Sequence, residues 1–583
     1  MNNTPEMKIR EHLRFLYGDA TGAQVAGRLL TRLEAFGAAH PELRQNLPAP
    51  DERLTERDVI LITYGDQIQE PGKSPLRSLA EVLASTVADV ISGVHILPFY
   101  PYSSDDGFSV IDYTAVNPDC GRWDDVARVG AHFRLMFDAV VNHISAQSDW
   151  FQAFLQDDPA FRDAFIVISP ETDLSQVTRP RALPLLTPVD TAAGKKWVWT
   201  TFSADQIDLN FADPDTLLRI VDALLLYVEK GAEIIRLDAI AYLWKKIGTS
   251  SIHLEETHRV VQLFRAVLDI VASGVMLITE TNVPHAENIS YFGDGFNEAQ
   301  LVYQFSLPPL TLHALARGDA TYLTAWAAGV QADLPSAQTT FYNFLASHDG
   351  VGVRPVEGIL PSQEVQWLAE RVRAHGGYVS TKANPDGSES PYEFNISYFD
   401  ALSDPQGDEP LDTQVARFMA AQAMMLALRG VPAIYVHSLF GSRNDAEGVA
   451  QTGRYRSINR EKFQRAALEA ALADPTSLRA RVFSAYRALL AARRQHKAFH
   501  PNASQRILDV HPALFALTRS AVDGSETVFC IHNVANEALD VALPCPLAVE
   551  QVRDLVTGAQ YPVHGDTLAL HIVPYQALWL TSA

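Results

Sequence analysis

The chain has 583 residues, 47% of them hydrophobic and 20% charged, which excludes a disordered polypeptide and leaves room for roughly two to four domains. With 47 Lys+Arg against 69 Asp+Glu, the formal charge of -22 argues against nucleic acid or an anionic membrane as partner, and any anionic substrate must meet a local basic pocket. Cys120, Cys530 and Cys545 are too few and scattered for a disulfide framework or a zinc site. "MNNTPEMKIREHLRFLYG" lacks the apolar centre of a signal peptide and no run is long enough to span a bilayer, so a cytoplasmic protein, monomer or homodimer, is expected.

Residues from about 5 to 40 show helical periodicity, with Leu13, Leu29, Leu30 and Leu33 on one side, and a Pro-marked segment follows. Eight apolar, β-rich runs come next: "DVILITYG", "GVHILPFYP", "RLMFDAVVNH", "EIIRLDAI", "VMLITET", "LVYQFSL", "TTFYNFLASH" and "VPAIYVHSL". Amphipathic helices such as "PDTLLRIVDALLLYVEKG" and "TQVARFMAAQAMMLALRG" separate most of them. Eight strands alternating with helices predict an α/β chain closed as a (β/α)8 TIM barrel, since open doubly wound sheets usually stop near six. Two connections, 144–212 and 350–411, are too long for simple loops. Both follow strands, which puts them on the C-terminal rim where active sites of this fold sit. From about 505 short alternating runs predict a C-terminal antiparallel β domain. The expected division is a helical N-terminal extension at 1–57, barrel at 58–143, inserted domain at 144–212, barrel at 213–349, inserted loop region at 350–411, barrel at 412–500 and β domain at 501–583.

Within "EIIRLDAIAY", Arg236 and Asp238 lie two positions apart in an apolar run, so strand alternation sends them to the same side. Burying two charges needs a reason. Asp238, Glu280 and Asp349 each stand where an apolar strand runs out, on the fourth, fifth and seventh strands. Paired carboxylates beside imidazoles and an arginine suit glycoside chemistry, in which one attacks the anomeric carbon and another, kept protonated, serves the leaving oxygen. A salt bridge from Arg236 is expected to hold Asp238 ionised.

"FDAVVNH", "IIRLDAI", "ITET" and "FLASHDG", in that order, resemble the four signature regions of the α-amylase superfamily of retaining glycosidases and transglycosidases. The resemblance runs from about residue 58 to the C-terminus. It implies that Asp238 is the nucleophile, Glu280 the acid/base and Asp349 a stabiliser of the distorted sugar. It further implies that His143 and His348 bind sugar hydroxyls while Arg236 positions the nucleophile.

"GVHILPFYPYSSDDGFSVIDYTAV", "RLDAIAYLWKKIGTS" and "GSRNDAEGV" are similar to the sucrose phosphorylase branch of that superfamily. The likeness implies glucosyl transfer to inorganic phosphate through a covalent glucosyl-enzyme. It implies that Asp105, with Phe108 nearby, grips the glucose, with Arg456 as the partner of Asp105. Arg181 of "VTRPRALPLL" and Tyr392 of "SPYEFN" match the branch's phosphate-binding pair, and an arginine can fork two hydrogen bonds to phosphate. The acceptor side departs from sucrose phosphorylases, with Asn282 in place of a histidine and Glu393 in place of a glutamine. Fructose contacts are therefore in doubt, while the long helical N-terminus and "PDGSESPYEFN" are similar to the branch's glucosylglycerate phosphorylases, which implies glycerate as the first expected acceptor, ahead of glycerol, fructose and phosphorylated sugars. Glu393 would repel a carboxylate unless an arginine balances it, with Arg443 a candidate. Hydrolysis or transglucosylation would use the same carboxylates and stays open, while a non-catalytic sugar binder is disfavoured. Asn142 matches a calcium ligand of ordinary amylases, but the branch works without the ion, so no cofactor is expected.

Overall fold

The eight apolar runs become eight parallel strands that close on themselves: β1 (Ile60–Thr63), β2 (Gly93–Ile96), β3 (Arg134–Ala139), β4 (Ala232–Leu237), β5 (Met276–Thr279), β6 (Leu301–Tyr303), β7 (Thr340–Phe344) and β8 (Val431–Tyr435). Each pairs with its successor and β8 returns to β1 through Ile60↔Ala433, completing the expected barrel. Residues facing the helices and residues facing the barrel axis are both buried, which is why these runs are apolar throughout rather than alternating. The structure, a computed structural model, describes residues 4–45, 47–180, 183–330, 334–383 and 388–583.

The N-terminal helical stretch is two helices, α1 (Pro5–Tyr17) and α2 (Asp19–Ala39), because Gly18 between them takes φ 77, a left-handed conformation that interrupts the helical ladder. α2 leans on two of the barrel's outer helices, α3 (Pro214–Glu229) and α4 (Glu255–Val271), and α1 packs on α4. Leu13, Leu29 and Leu33 are buried there, whereas Leu30 is only partly covered. Arg28 pairs with Asp215, Arg32 lies 3.2 Å from Asp222, and the Tyr17 hydroxyl donates to the Phe211 carbonyl at 2.8 Å.

Both long connections leave the C-terminal ends of strands. The one after β3 carries a hairpin of Leu186–Thr191 with Gly194–Trp199, and returns by pairing His143–Ser145 with Gln206–Asp208. The one after β7 carries a three-stranded antiparallel sheet of Val351–Gly352, Tyr378–Ala383 and Glu389–Asn395, with the helix Ser362–Ala374 beside it. The chain ends in eight antiparallel strands between Ser504 and Ser582 around a core of their own. The run "LALHIVPYQALWLT" is two of those strands, Thr567–Ile572 and Ala577–Ser582, turned at Tyr575 with φ 57. Among the described residues no helix is long and apolar enough to cross a membrane.

Candidate active site

Arg236 sits inside the barrel, 2% exposed, with Asp138 of β3 directly across from it in register. Its Nη1 donates to Asp138 and, at 2.7 Å, to Asp238 Oδ1. Asp138 also lies 2.6 Å from His95 Nε2. One guanidinium thus serves two carboxylates, Asp138 and Asp238. Burial, the dominant influence, pushes the Asp238 carboxyl above its ordinary value, Arg236 pulls it down, and Asp138 adds a repelling charge. Asp138 is the one held below the usual range, against burial, by Arg236 and His95. Its role was invisible in the sequence, where it is one more charge in an apolar run.

Asp238 directly follows β4, and the next residue, Ala239, takes φ 48. A left-handed alanine is strained, and here the turn aims its N–H at Glu280 Oε2, 3.0 Å away. Glu280 follows β5, and its own N–H donates to the Leu237 carbonyl. Burial first, then the charges of Asp238 and Asp349, raise its carboxyl to about 7 despite Arg236. Asp238 has a guanidinium donor and Glu280 only a backbone N–H, so a proton shared by this pair rests on Glu280.

Asp349 follows β7. Arg456 Nη1 lies 2.5 Å from Asp349 Oδ1, and its Nε and Nη2 donate to Glu393 at 3.0 and 2.7 Å. Against the cost of burial, the guanidinium of Arg456 first, with those of Arg460 and Arg236, holds the Asp349 carboxyl well below the ordinary range. Arg456 is thus the counter-charge of Glu393. Arg443, the candidate for that task, instead donates to Asp400 at 2.7 Å and to Gln414, because its stretch packs against the Tyr398–Leu402 helix. Asp105, the expected partner of Arg456, adds to its negative surroundings, but the fork itself grips Glu393.

One pocket at the barrel mouth is lined by every expected site residue that the structure describes. Asp105, Phe108, His143 and His348 are among them. The rings of Phe108 and His348 stack at 4.6 Å, His143 Nε2 lies 2.8 Å from the Phe108 carbonyl, and burial lowers His348 to about 3, so its imidazole is neutral. Asp105 and Asp106 both hold positive φ, 54 and 50, with Asp106 paired to Arg460. Asn282, Tyr392 and Glu393 also line it, together with Phe202, Tyr242 and Pro180, which sequence reasoning did not single out. Asn282 Oδ1 is buried without a hydrogen-bond partner among the described residues, and Gly352 lies so close to Asn282 that a Cβ there would stand 2.7 Å from its amide nitrogen. Arg181 lies outside the described residues.

Asn142 Oδ1 accepts from Lys245 Nζ at 2.8 Å, and the same ammonium lies 2.5 Å from Asp208. The oxygen donors that would serve a calcium ion are engaged by a lysine, so these residues do not fit that metal.

Acidic groups converging at the C-terminal mouth of a barrel with a long insertion after its third strand define the class of α-amylase-type barrels. Residues 90–354 match the family model described as "Alpha amylase, catalytic domain". The chain is 50% identical over 580 residues to the glucosylglycerate phosphorylase of Allomeiothermus silvanus, covering 99% of both chains. It is 43% identical to that of Escherichia coli K12, covering 99% of this chain and 100% of the other. Among solved structures, sucrose 6F-phosphate phosphorylase from Thermoanaerobacter thermosaccharolyticum superposes with a TM-score of 0.70 at 25% identity, over 82% of this chain and 94% of that one. The chain belongs to the α-amylase family and, within it, to the group that holds the glucosylglycerate and sucrose phosphorylases.

Proposed function

We propose that this chain is a retaining glucosylglycerate phosphorylase, converting 2-O-α-glucosylglycerate and inorganic phosphate to α-glucose 1-phosphate and glycerate. The observation that carries the reading is the 50% identity to a glucosylglycerate phosphorylase over 99% of both chains. Asp238 attacks the anomeric carbon while Glu280 gives its proton to the departing glycerate oxygen, leaving a β-glucosyl ester on Asp238. Phosphate then attacks the same carbon from the face glycerate left, Glu280 takes the phosphate proton, and the ester bond breaks with overall retention. Asp349 and Arg456, with Asp105, Phe108, His143 and His348, grip the glucosyl ring, and Asn282 offers its unpartnered carbonyl oxygen to an acceptor hydroxyl. Arg181 and Tyr392 are assigned to phosphate by resemblance to the branch. Glu393 is compatible with a carboxylated acceptor because the Arg456 fork neutralises it.

Phosphate release from α-glucose 1-phosphate in the presence of glycerate, glycerol or fructose tests the reading. Glycerate is expected to give the highest kcat/KM. Faster release with fructose or glycerol, or steady hydrolysis in phosphate-free buffer that exceeds phosphorolysis, would overturn it.

A further inference from the structure

The stretch "SSDDGFS", Ser103 to Ser109, sets three serines around two acids and a glycine, a composition that makes a turn. The turn is held against the backbone preference of its own residues. Asp105, Asp106 and Gly107 follow one another with φ of 54, 50 and 110, and only the glycine takes such a conformation freely. Left-handed residues in succession persist only where their surroundings fix them. Arg460 holds the middle of the turn by pairing with Asp106, while its Nε donates to the His348 carbonyl at 2.9 Å. The two ends are held by Asp205, from the insertion after β3.

Ser103 and Ser109, on either side of the turn, donate their hydroxyls to Asp205 Oδ2 at 2.6 and 2.8 Å, and Ser104 donates to the same oxygen. Hydrogen bonds to a carboxylate are roughly twice as strong as those between neutral groups, so this one oxygen gathers most of the turn's restraint. Asp205 is itself anchored. Its carbonyl accepts from the Ala146 N–H at 2.9 Å, and the next residue, Gln206, donates from Nε2 to the Phe108 carbonyl at 2.9 Å. Asp105 and Phe108, the two residues of this turn that line the pocket, stand between the serines that Asp205 binds.

We propose that Asp205 is a positioning residue for binding of the glucosyl ring: by accepting from the three serines it keeps the turn closed and the Asp105 carboxylate in place to meet the incoming sugar. The inference rests on the assignment of Asp105 to the glucosyl ring. Released from Asp205, the turn relaxes toward negative φ and carries Asp105 with it, so the free enzyme loses affinity for the sugar while Asp238 and Glu280 keep their places.

The full-length enzyme is assayed with α-glucosyl fluoride as donor and phosphate as acceptor, which leaves glycerate out of the measurement. The kcat/KM for the fluoride reports capture of the sugar by free enzyme, that for phosphate reports discharge of a glucosyl-enzyme already holding it, and their ratio does not depend on the fraction of active protein. Asp205→Ala is expected to lower the fluoride-to-phosphate ratio by roughly tenfold or more and to weaken competitive inhibition by glucose to the same degree. Asp205→Asn keeps an oxygen that accepts from the serines without the charge, and should recover part of the loss. Ser104→Ala should lower the ratio by less, and no further when combined with Asp205→Ala, because both act through one contact. An unchanged ratio in Asp205→Ala overturns the proposal, and if that variant does not fold, an unchanged ratio in both Asp205→Asn and Ser104→Ala does so. Asp105→Ala separates the two readings. A ratio unchanged there removes the assignment of Asp105 to the sugar, whereas a fall there with none in Asp205→Ala removes Asp205 alone.

Discussion

Arg456 clasps Glu393 through two parallel hydrogen bonds, 3.0 and 2.7 Å, while its remaining nitrogen holds Asp349. The inserted region after β7 is thereby tied to a carboxylate of the reaction centre. Glu393 is only 4% exposed, so its charge is tolerable only because the fork meets both its oxygens.

Glu393→Ala is expected to cost about 1–3 kcal/mol of stability, less than breaking an isolated buried pair, because Arg456 keeps Asp349 as a partner. It should also weaken binding of the glucosyl donor, since Arg456 loses its fixed orientation. Denaturant unfolding together with KM for α-glucose 1-phosphate checks both; wild-type values in each would show that the clasp does neither.

The raised Glu280 carboxyl makes a directional pH prediction. The protonated form is the one that serves a leaving oxygen, so kcat/KM for glucosylglycerate falls as pH rises through about 7, by roughly tenfold per unit beyond it. With α-glucosyl fluoride, whose leaving group needs no proton, that alkaline limb should vanish from the glucosylation step. An identical limb with both donors would assign it to another group.

Lys245 is fully enclosed, 3% exposed, between Asp208 and Asn142. Lys245→Met leaves the Asp208 carboxylate buried without its cation, and a loss of about 3–5 kcal/mol is expected. Treating the wild-type protein with a strong chelator should leave Tm unchanged. A chelator-induced fall in Tm would mean that a metal, and not the lysine, holds this corner.

The barrel was readable because all eight strands are buried on both faces and so stand out as apolar runs, and because a carboxylate at the end of such a run has few other reasons to be there. Asp238, Glu280 and Asp349 were found that way. Phe202 and Tyr242 were not, since an aromatic in a long insertion or just past a strand carries no periodicity that says which wall it will join. The hold of Asp138 on Arg236 depends on strand register, which one strand's sequence does not contain. Arg443 and Arg456 illustrate the same limit. Both lie beyond β8, and only the fold decides that Arg456 reaches Glu393 while Arg443 turns to Asp400.

The central claim is that Asp238 carries the glucosyl group between the two acceptors. Mass spectrometry of peptides from a Glu280→Gln enzyme quenched after mixing with α-glucosyl fluoride tests it most directly. The account predicts a single hexosyl adduct on the peptide containing Asp238, discharged when azide is added. An adduct on a different carboxylate, or a wild-type product of β-glucose 1-phosphate, would contradict it.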